Sequence, residues 1–386
     1  MNNQLNLIQK ALSNQDAEGL CRLLPWNQLE LTPVNLRNEI QDLLKNNTNI
    51  SKIIPDTYSN FIVAYLKFVL GNNFDTFLTM FKVYTGERLA YNVWLIPFTK
   101  HLIRGMVHLS ILNDKLMASY SEKTRITANA ELGRLCAMVS KDSSDICSIL
   151  LYIVNSQFSV LFSLDGMKPS LDILRMLPNF LPTDLKCPKS DTVMFNFKAG
   201  KIALHFHRFA MAEKHFQIAF QKCIPTLKAK RTILLKYLIV IKMIRGVLPS
   251  EFLLKEFHLD QYFSNLCLHL SKGNFLMFTK ELEIQRSWLL KNGLYLLIEQ
   301  HTRIVLYRNL FQRIYRIMES NSISVSLLWQ ITQKMNADDT VEEIECLLVS
   351  MIDQGIIKGY ISHDKNVIVF RKSNTFPLLH TIATQA

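Results

Sequence analysis

The chain has 386 residues, enough for one large domain or two of medium size. About half of the residues are apolar and a fifth are charged, which excludes a disordered or fibrous protein. Lys and Arg exceed Asp and Glu by 3 over residues 1–190 and by 9 over residues 191–386. A basic half favours an anionic partner, nucleic acid or an acidic protein, although a solvated basic surface without a ligand gives the same count.

Gly and Pro are sparse at 12 and 11, so tight turns are few and helices are expected to dominate. Phe is common at 23, as long helices packed on helices require at their seams. The seven cysteines form no CxxC and meet no His at zinc-finger spacing, so they read as small core residues of a reducing compartment. Met1–Gln15 is rich in Asn and Gln and has no apolar run, so no secretory leader is expected. The longest greasy stretch, Ile233–Val247, is broken by Lys236, Lys242 and Arg245, which argues against a membrane span. Cytosol or nucleus is the expected compartment.

In chain order, residues 1–50 predict short helices, with Leu5, Ile8 and Leu12 on one face. Residues 51–165 predict successive amphipathic helices, among them one carrying Phe61, Ala64, Tyr65, Phe68 and Val69 and stopping at Gly71–Asn73. Pro169, Pro178, Pro182 and Pro188 crowd residues 166–192 and mark a joint, because proline cannot continue a helix. Gly200, Ala212, Phe216 and Ala219 then follow the spacing of a tetratricopeptide-like hairpin. Arg303–Met318 predicts a helix with Leu306, Leu310, Ile314 and Ile317 inward. Ser324 is placed to cap a second helix, and Thr340 with Glu343 to form the capping box of a third, which Gly355 ends. Two strand-like runs, Ile357–Ile361 and Val367–Phe370, follow across a turn at His363–Asn366. Three helices and a two-stranded wing make a winged helix.

The expected fold is therefore all-α with a small β wing: stacked, tetratricopeptide-like helical repeats and a C-terminal winged helix. Residues 1–190 form the N-terminal repeats, 191–301 a second helical part and 302–380 the winged helix.

Repeats running into a terminal winged helix resemble the PCI domain. More narrowly, the chain is similar to the PCI-domain-containing protein two family. The resemblance rests on KRTILLKYL at Lys230–Leu238, Leu248-Pro249, LLKEFHL at Leu253–Leu259, Gly273-Asn274, LYRNLF at Leu306–Phe311, IIKGYISH at Ile356–His363 and Phe376-Pro377. It covers residues 190–380 well and the N-terminal half only in helical character. It implies a non-enzymatic subunit of a nuclear mRNA-export complex coupling transcription to export at the nuclear pore, with cytoplasmic presence also open. The partners it implies are a large PCI-containing mRNA-export scaffold protein and a small acidic Sem-type subunit. The alternative is a subunit of a signalosome- or proteasome-lid-like assembly that makes only protein contacts.

Read from the residues alone, two stretches lack acids: eight Lys and Arg between Glu213 and Glu251, and four Arg between Glu299 and Glu319. Cations without interspersed carboxylates attract phosphate through counterion release. Lys228, Lys230, Arg231 and Lys236 of the first stretch and Arg303, Arg308 and Arg313 of the second are candidate nucleic-acid contacts. Arg308 serves equally well as a buried tie between helix and wing. The wing adds Lys358, Lys365, Arg371 and Lys372. The third helix opens with Asp338, Asp339, Glu342, Glu343 and Glu345, which repel phosphate and argue against major-groove reading. The expectation is weak, sequence-tolerant binding to RNA or DNA backbone. Val367, Ile368, Val369 and Phe370 form a short apolar strand whose edge is expected to pair with a partner.

No Walker loop, GxSxG or HExxH occurs, and His205 and His207 lie two apart, pointing to different faces of a helix. Adjacent Asp338-Asp339 and Glu342-Glu343 suit helix capping better than acid–base chemistry. No catalytic residue, cofactor, metal or small-molecule substrate is expected.

Overall fold

A computed structural model of the chain describes residues 2–27, 34–45, 48–116, 122–141, 147–179, 187–335 and 339–382. Pro182 and Asp338, named above, lie outside them. The chain divides into two compact units, Met1–His205 and Phe206–Ala386.

The first unit runs through α1 (Asn2–Ser13), α2 (Ala17–Leu23), α3 (Val34–Lys45), α4 (Thr48–Ile53), α5 (Asp56–Gly71) and α6 (Phe74–Gly86). It continues through α7 (Ile96–Leu116), α8 (Lys123–Val139), α9 (Leu150–Ser163), α10 (Met167–Met176) and α11 (Lys189–His205). α11 runs across position 190 as one helix, and Gly200 lies buried within it. Neighbouring helices pack as hairpins: α5 on α6, α7 on α8, α8 on α9. The abundant phenylalanines fill the seams. Phe61, Tyr84 and Phe98 meet edge to face at centroid distances of 5.3–5.9 Å, and the buried Tyr84 hydroxyl is satisfied by Thr99 Oγ1 at 2.7 Å. At the end of α5, Asn72 takes the left-handed conformation that closes the helix, and Asn73 caps α6 through Thr76 N.

The second unit begins with the hairpin α12 (Phe209–Lys222) and α13 (Lys228–Ile244). Ala212, Phe216 and Ala219 are buried, and the ring of Phe216 stacks on Tyr237 of α13 at 5.2 Å. Next come α14 (Glu251–Glu256), α15 (Asp260–Lys272), α16 (Phe275–Ile284), α17 (Arg286–Lys291) and α18 (Tyr295–His301). The winged helix comprises α19 (Arg303–Met318), β1 (Ser322–Ser324), α20 (Val325–Lys334), α21 (Val341–Asp353), β2 (Gly359–Ser362) and β3 (Val367–Phe370). Gly273 ends α15 at a φ of +63°, and a Cβ there would lie 2.4 Å from the Leu310 amide nitrogen, so only glycine lets α15 end against α19.

The sheet has the antiparallel order β1-β3-β2, with Ile323 and Ile361 both paired to Ile368. Ile323, Ile368 and Phe370 point into one core with Leu328, Ile344, Leu348, Met351 and Ile357. Helical repeats followed by a winged helix are thus the architecture, with three departures from expectation. Position 324 does precede α20, but Ser324 ends a strand and its hydroxyl makes no cap bond. The third strand escaped notice because Ser322–Ser324 is three residues long and polar at both ends. Ile317, expected inward, is 70% exposed where α19 ends.

Candidate nucleic-acid interface

The expected edge pairing of Val367, Ile368, Val369 and Phe370 is corrected by the strand order. β3 is the central strand, so both of its hydrogen-bonding sides are taken, by β1 and by β2. Ile368 and Phe370 are also buried beneath the sheet, leaving Val367 and Val369 half-buried on its outer face. A strand read in isolation gives no sign that a distant segment will cover its second side.

The cations divide into those engaged by a partner within the chain and those without one among the described residues. Arg308 is 7% exposed, and its guanidinium donates to the carbonyls of Phe376 (3.1 Å) and Pro377 (2.7 Å) as well as to Asn309 Oδ1. Burial, with the nearby charge of Arg316, pushes its pKa below the usual arginine value. It ties α19 to the C-terminal segment and is withdrawn from the candidate contacts. Arg231 lies over the rings of Phe220 (4.3 Å) and Phe257 (5.7 Å). Lys236 bonds Asn292 Oδ1 at 3.0 Å and lies over Trp288, its pKa lowered by burial. Arg303 reaches Asp339 at 2.5 Å, and the buried Tyr307 hydroxyl bonds the same carboxylate. Asp339 therefore anchors α19 ahead of α21 instead of capping a helix. The capping box is Thr340 with Glu343, as their spacing indicates.

Lys228, Lys230, Arg313, Lys365, Arg371 and Lys372 are exposed, Lys358 is half-buried, and none of the seven has a carboxylate partner among the described residues. Lys228 and Lys230 stand at the start of α13, and Arg313 on the outer face of α19.

Two of the wing cations are brought together by the sheet. The Arg371 amide donates to the Lys358 carbonyl at 2.9 Å, which extends the β2–β3 pairing by one step. Both residues line an open recess of about 480 Å³. The half-buried Ile352 and Val369 supply apolar wall, with the buried Ile357 behind it, and Gly355 and Gly359 leave it bare. The buried Phe370 and Tyr360 complete the lining, and Tyr360 is 63% exposed with no aromatic ring paired to it among the described residues. Sequence reasoning missed Tyr360, because a tyrosine in a strand reads equally well as core. At the wing tip, His363 Nδ1 meets Glu345 of α21 at 2.7 Å, and that bond raises the histidine pKa. One acidic residue of α21 is thereby tied to the wing, while Glu342 and Glu343 remain exposed.

The described residues contain no group of three or more His, Cys, Asp or Glu able to hold a metal ion. No described helix is long and apolar enough to cross a membrane.

Residues 251–372 match the family model of the PCI domain. Over nearly its whole length the chain is similar to PCI domain-containing protein 2 of Xenopus laevis, 22% identical over 408 aligned positions that cover 99% of this chain and 98% of that protein. The Drosophila melanogaster homolog of that protein is 23% identical, covering 98% of both chains. The Dictyostelium discoideum homolog is 29% identical, over 95% of this chain and 82% of its own. PCI proteins are generally non-catalytic scaffolds, and the names of these relatives carry no enzyme activity. A helical-repeat array, a C-terminal winged helix that matches the PCI domain and end-to-end similarity to proteins named PCI domain-containing protein 2 support a PCI-domain scaffold protein.

Proposed function

We propose that the chain is a non-enzymatic subunit of a nuclear complex that couples transcription to mRNA export at the nuclear pore. In this reading it docks on a large PCI-containing scaffold protein and a small acidic Sem-type subunit. Its wing holds RNA or DNA backbone without reading sequence. The observation that carries the nucleic-acid part is the wing recess, which Lys358 and Arg371 line together with an exposed aromatic ring, with no carboxylate partner among the described residues. The exposed carboxylates at the start of α21 oppose duplex docking by that helix, so the wing is the better placed element.

The test has two parts. Affinity purification of the tagged native protein should recover a large PCI scaffold and a small acidic subunit. The full chain should bind a labelled oligonucleotide at low salt, and K358E/R371E should weaken that binding about tenfold or more. A second reading, a PCI subunit that joins only proteins, draws support from Arg231, Lys236, Arg303 and Arg308, each of which is engaged by a partner within the chain. Recovery of signalosome or proteasome-lid subunits, with no oligonucleotide affinity, would establish that reading instead.

A further inference from the structure

The recess beside β2 has a shape and a polarity that phosphate contact alone does not require. Its accessible apolar surface comes from the half-buried Ile352 and Val369, and two of its positions are glycines. Tyr360 stands at its mouth with no hydrogen bond to its hydroxyl and no ring against its face among the described residues. The cations Lys358 and Arg371 line it as well. A flat, apolar ligand carrying an anion fits this arrangement, and a nucleobase on a phosphodiester chain is such a ligand.

From this we infer that the wing recess is a stacking subsite for an unpaired nucleobase, so that the chain prefers single strands to duplex. The inference rests on the nucleic-acid reading of the wing given above. The base lies on the Tyr360 ring, against Ile352 and Val369, and the adjoining phosphates face Lys358 and Arg371. The helix end explains the polarity. α21 ends beside Ile352 and Gly355, and the carbonyls of Ser350, Met351 and Ile352 already accept backbone amides, so this side adds no cation for a phosphate and tolerates an uncharged base. Phosphate is therefore held on the cation side and the base on the helix side.

Duplex is disfavoured by what lies at the other end of the same helix. Glu342 and Glu343 are exposed about 15 Å along the axis from Ile352, at 1.5 Å per residue. A duplex groove wide enough to take α21 would bring phosphates against those carboxylates. A single strand can enter at the recess and turn away. Stacking is also indifferent to base identity, because every base presents a π face, so the subsite adds affinity without adding sequence preference.

The probe that isolates stacking is an abasic oligodeoxynucleotide, which keeps every phosphate and lacks the bases. Fluorescence anisotropy on the full chain would compare a mixed-sequence single strand, its abasic counterpart and a duplex of equal length. The wild type and Tyr360→Phe, which keeps the ring, should bind the base-bearing strand about tenfold tighter than the abasic one. Tyr360→Ala should bind both alike, and its exposed position makes misfolding an improbable cause that circular dichroism checks. Equal binding of abasic and base-bearing strands by the wild type would overturn the stacking subsite and leave the backbone reading standing. Full affinity in K358E/R371E would remove the wing reading and this inference with it. Competition by a glutamate-rich peptide as effective as the single strand would also overturn it, since the recess would then read charge alone.

Discussion

On α19, Arg308 turns inward to the carbonyls of Phe376 and Pro377, whereas Arg313 five residues later faces solvent. Both lie in the same acid-free stretch, and only packing separates their roles. Arg308→Ala should lower stability by about 2–3 kcal/mol, because it strands two carbonyls and opens a gap beneath Phe376. Chemical denaturation would measure this, and Arg313→Ala in parallel should change stability little. Lys198 makes the same point in the first unit. Its amine donates to the Asn155 carbonyl and to Ser159 Oγ, both at 2.5 Å, and burial lowers its pKa to about 8. The unfolded chain holds that proton up to the ordinary value of 10.5. Between those two values the unfolded state binds more protons, so stability rises with pH across that window. Lys198→Met should abolish this rise, and denaturation at pH 8 and pH 10 decides it; a rise of equal size in the variant would refute the assignment.

At the scale of elements, the wing is held to α21 by His363 and Glu345. The folded pKa of His363 is raised by the hydrogen bond and charge of Glu345. The pairing is therefore complete below the ordinary histidine value of 6.5 and is lost as pH rises through the raised one. His363→Gln should flatten that dependence. Amide exchange in β2 and β3, corrected for intrinsic rates, should quicken from pH 6 to pH 8 in the wild type only. Much at this scale was legible beforehand. The bounds of α19, the Thr340–Glu343 box, the Gly355 stop and the β3 run follow from local rules of periodicity and capping. What escaped depends on residues far apart in the chain. β1 is visible only once Ile323 lies against Ile368, and the covered edge of β3 only once β1 is placed. The basic stretch around α13 looked free of acid until Glu213, just before it in sequence, met Arg245 near its end. Lys358 and Arg371 were each named from sequence, but their shared recess with Tyr360 is a product of the β2–β3 pairing.

At the scale of the whole molecule, the two units have separate hydrophobic cores. One is drawn from residues between Leu5 and Val160, the other from residues between Leu235 and Phe370. A fragment spanning residues 206–382 should accordingly unfold cooperatively by itself, which thermal circular dichroism would show. The excess of 9 positive charges over residues 191–386 would make the proposed nucleic-acid affinity a matter of ions released. If Lys358, Arg371 and Lys372 each neutralise one phosphate of a single strand, log K should fall with log salt at a slope of roughly −2. Arg371→Ala removes one of the three and should reduce that slope by about 0.7. Removing Arg308, whose charge is spent on carbonyls inside the fold, should leave it unchanged wherever the variant remains folded. The two arginines thus separate a phosphate contact from a structural tie by salt dependence alone. A slope near zero for the parent chain would mean that the wing cations do not meet phosphate, whatever affinity is measured at low salt.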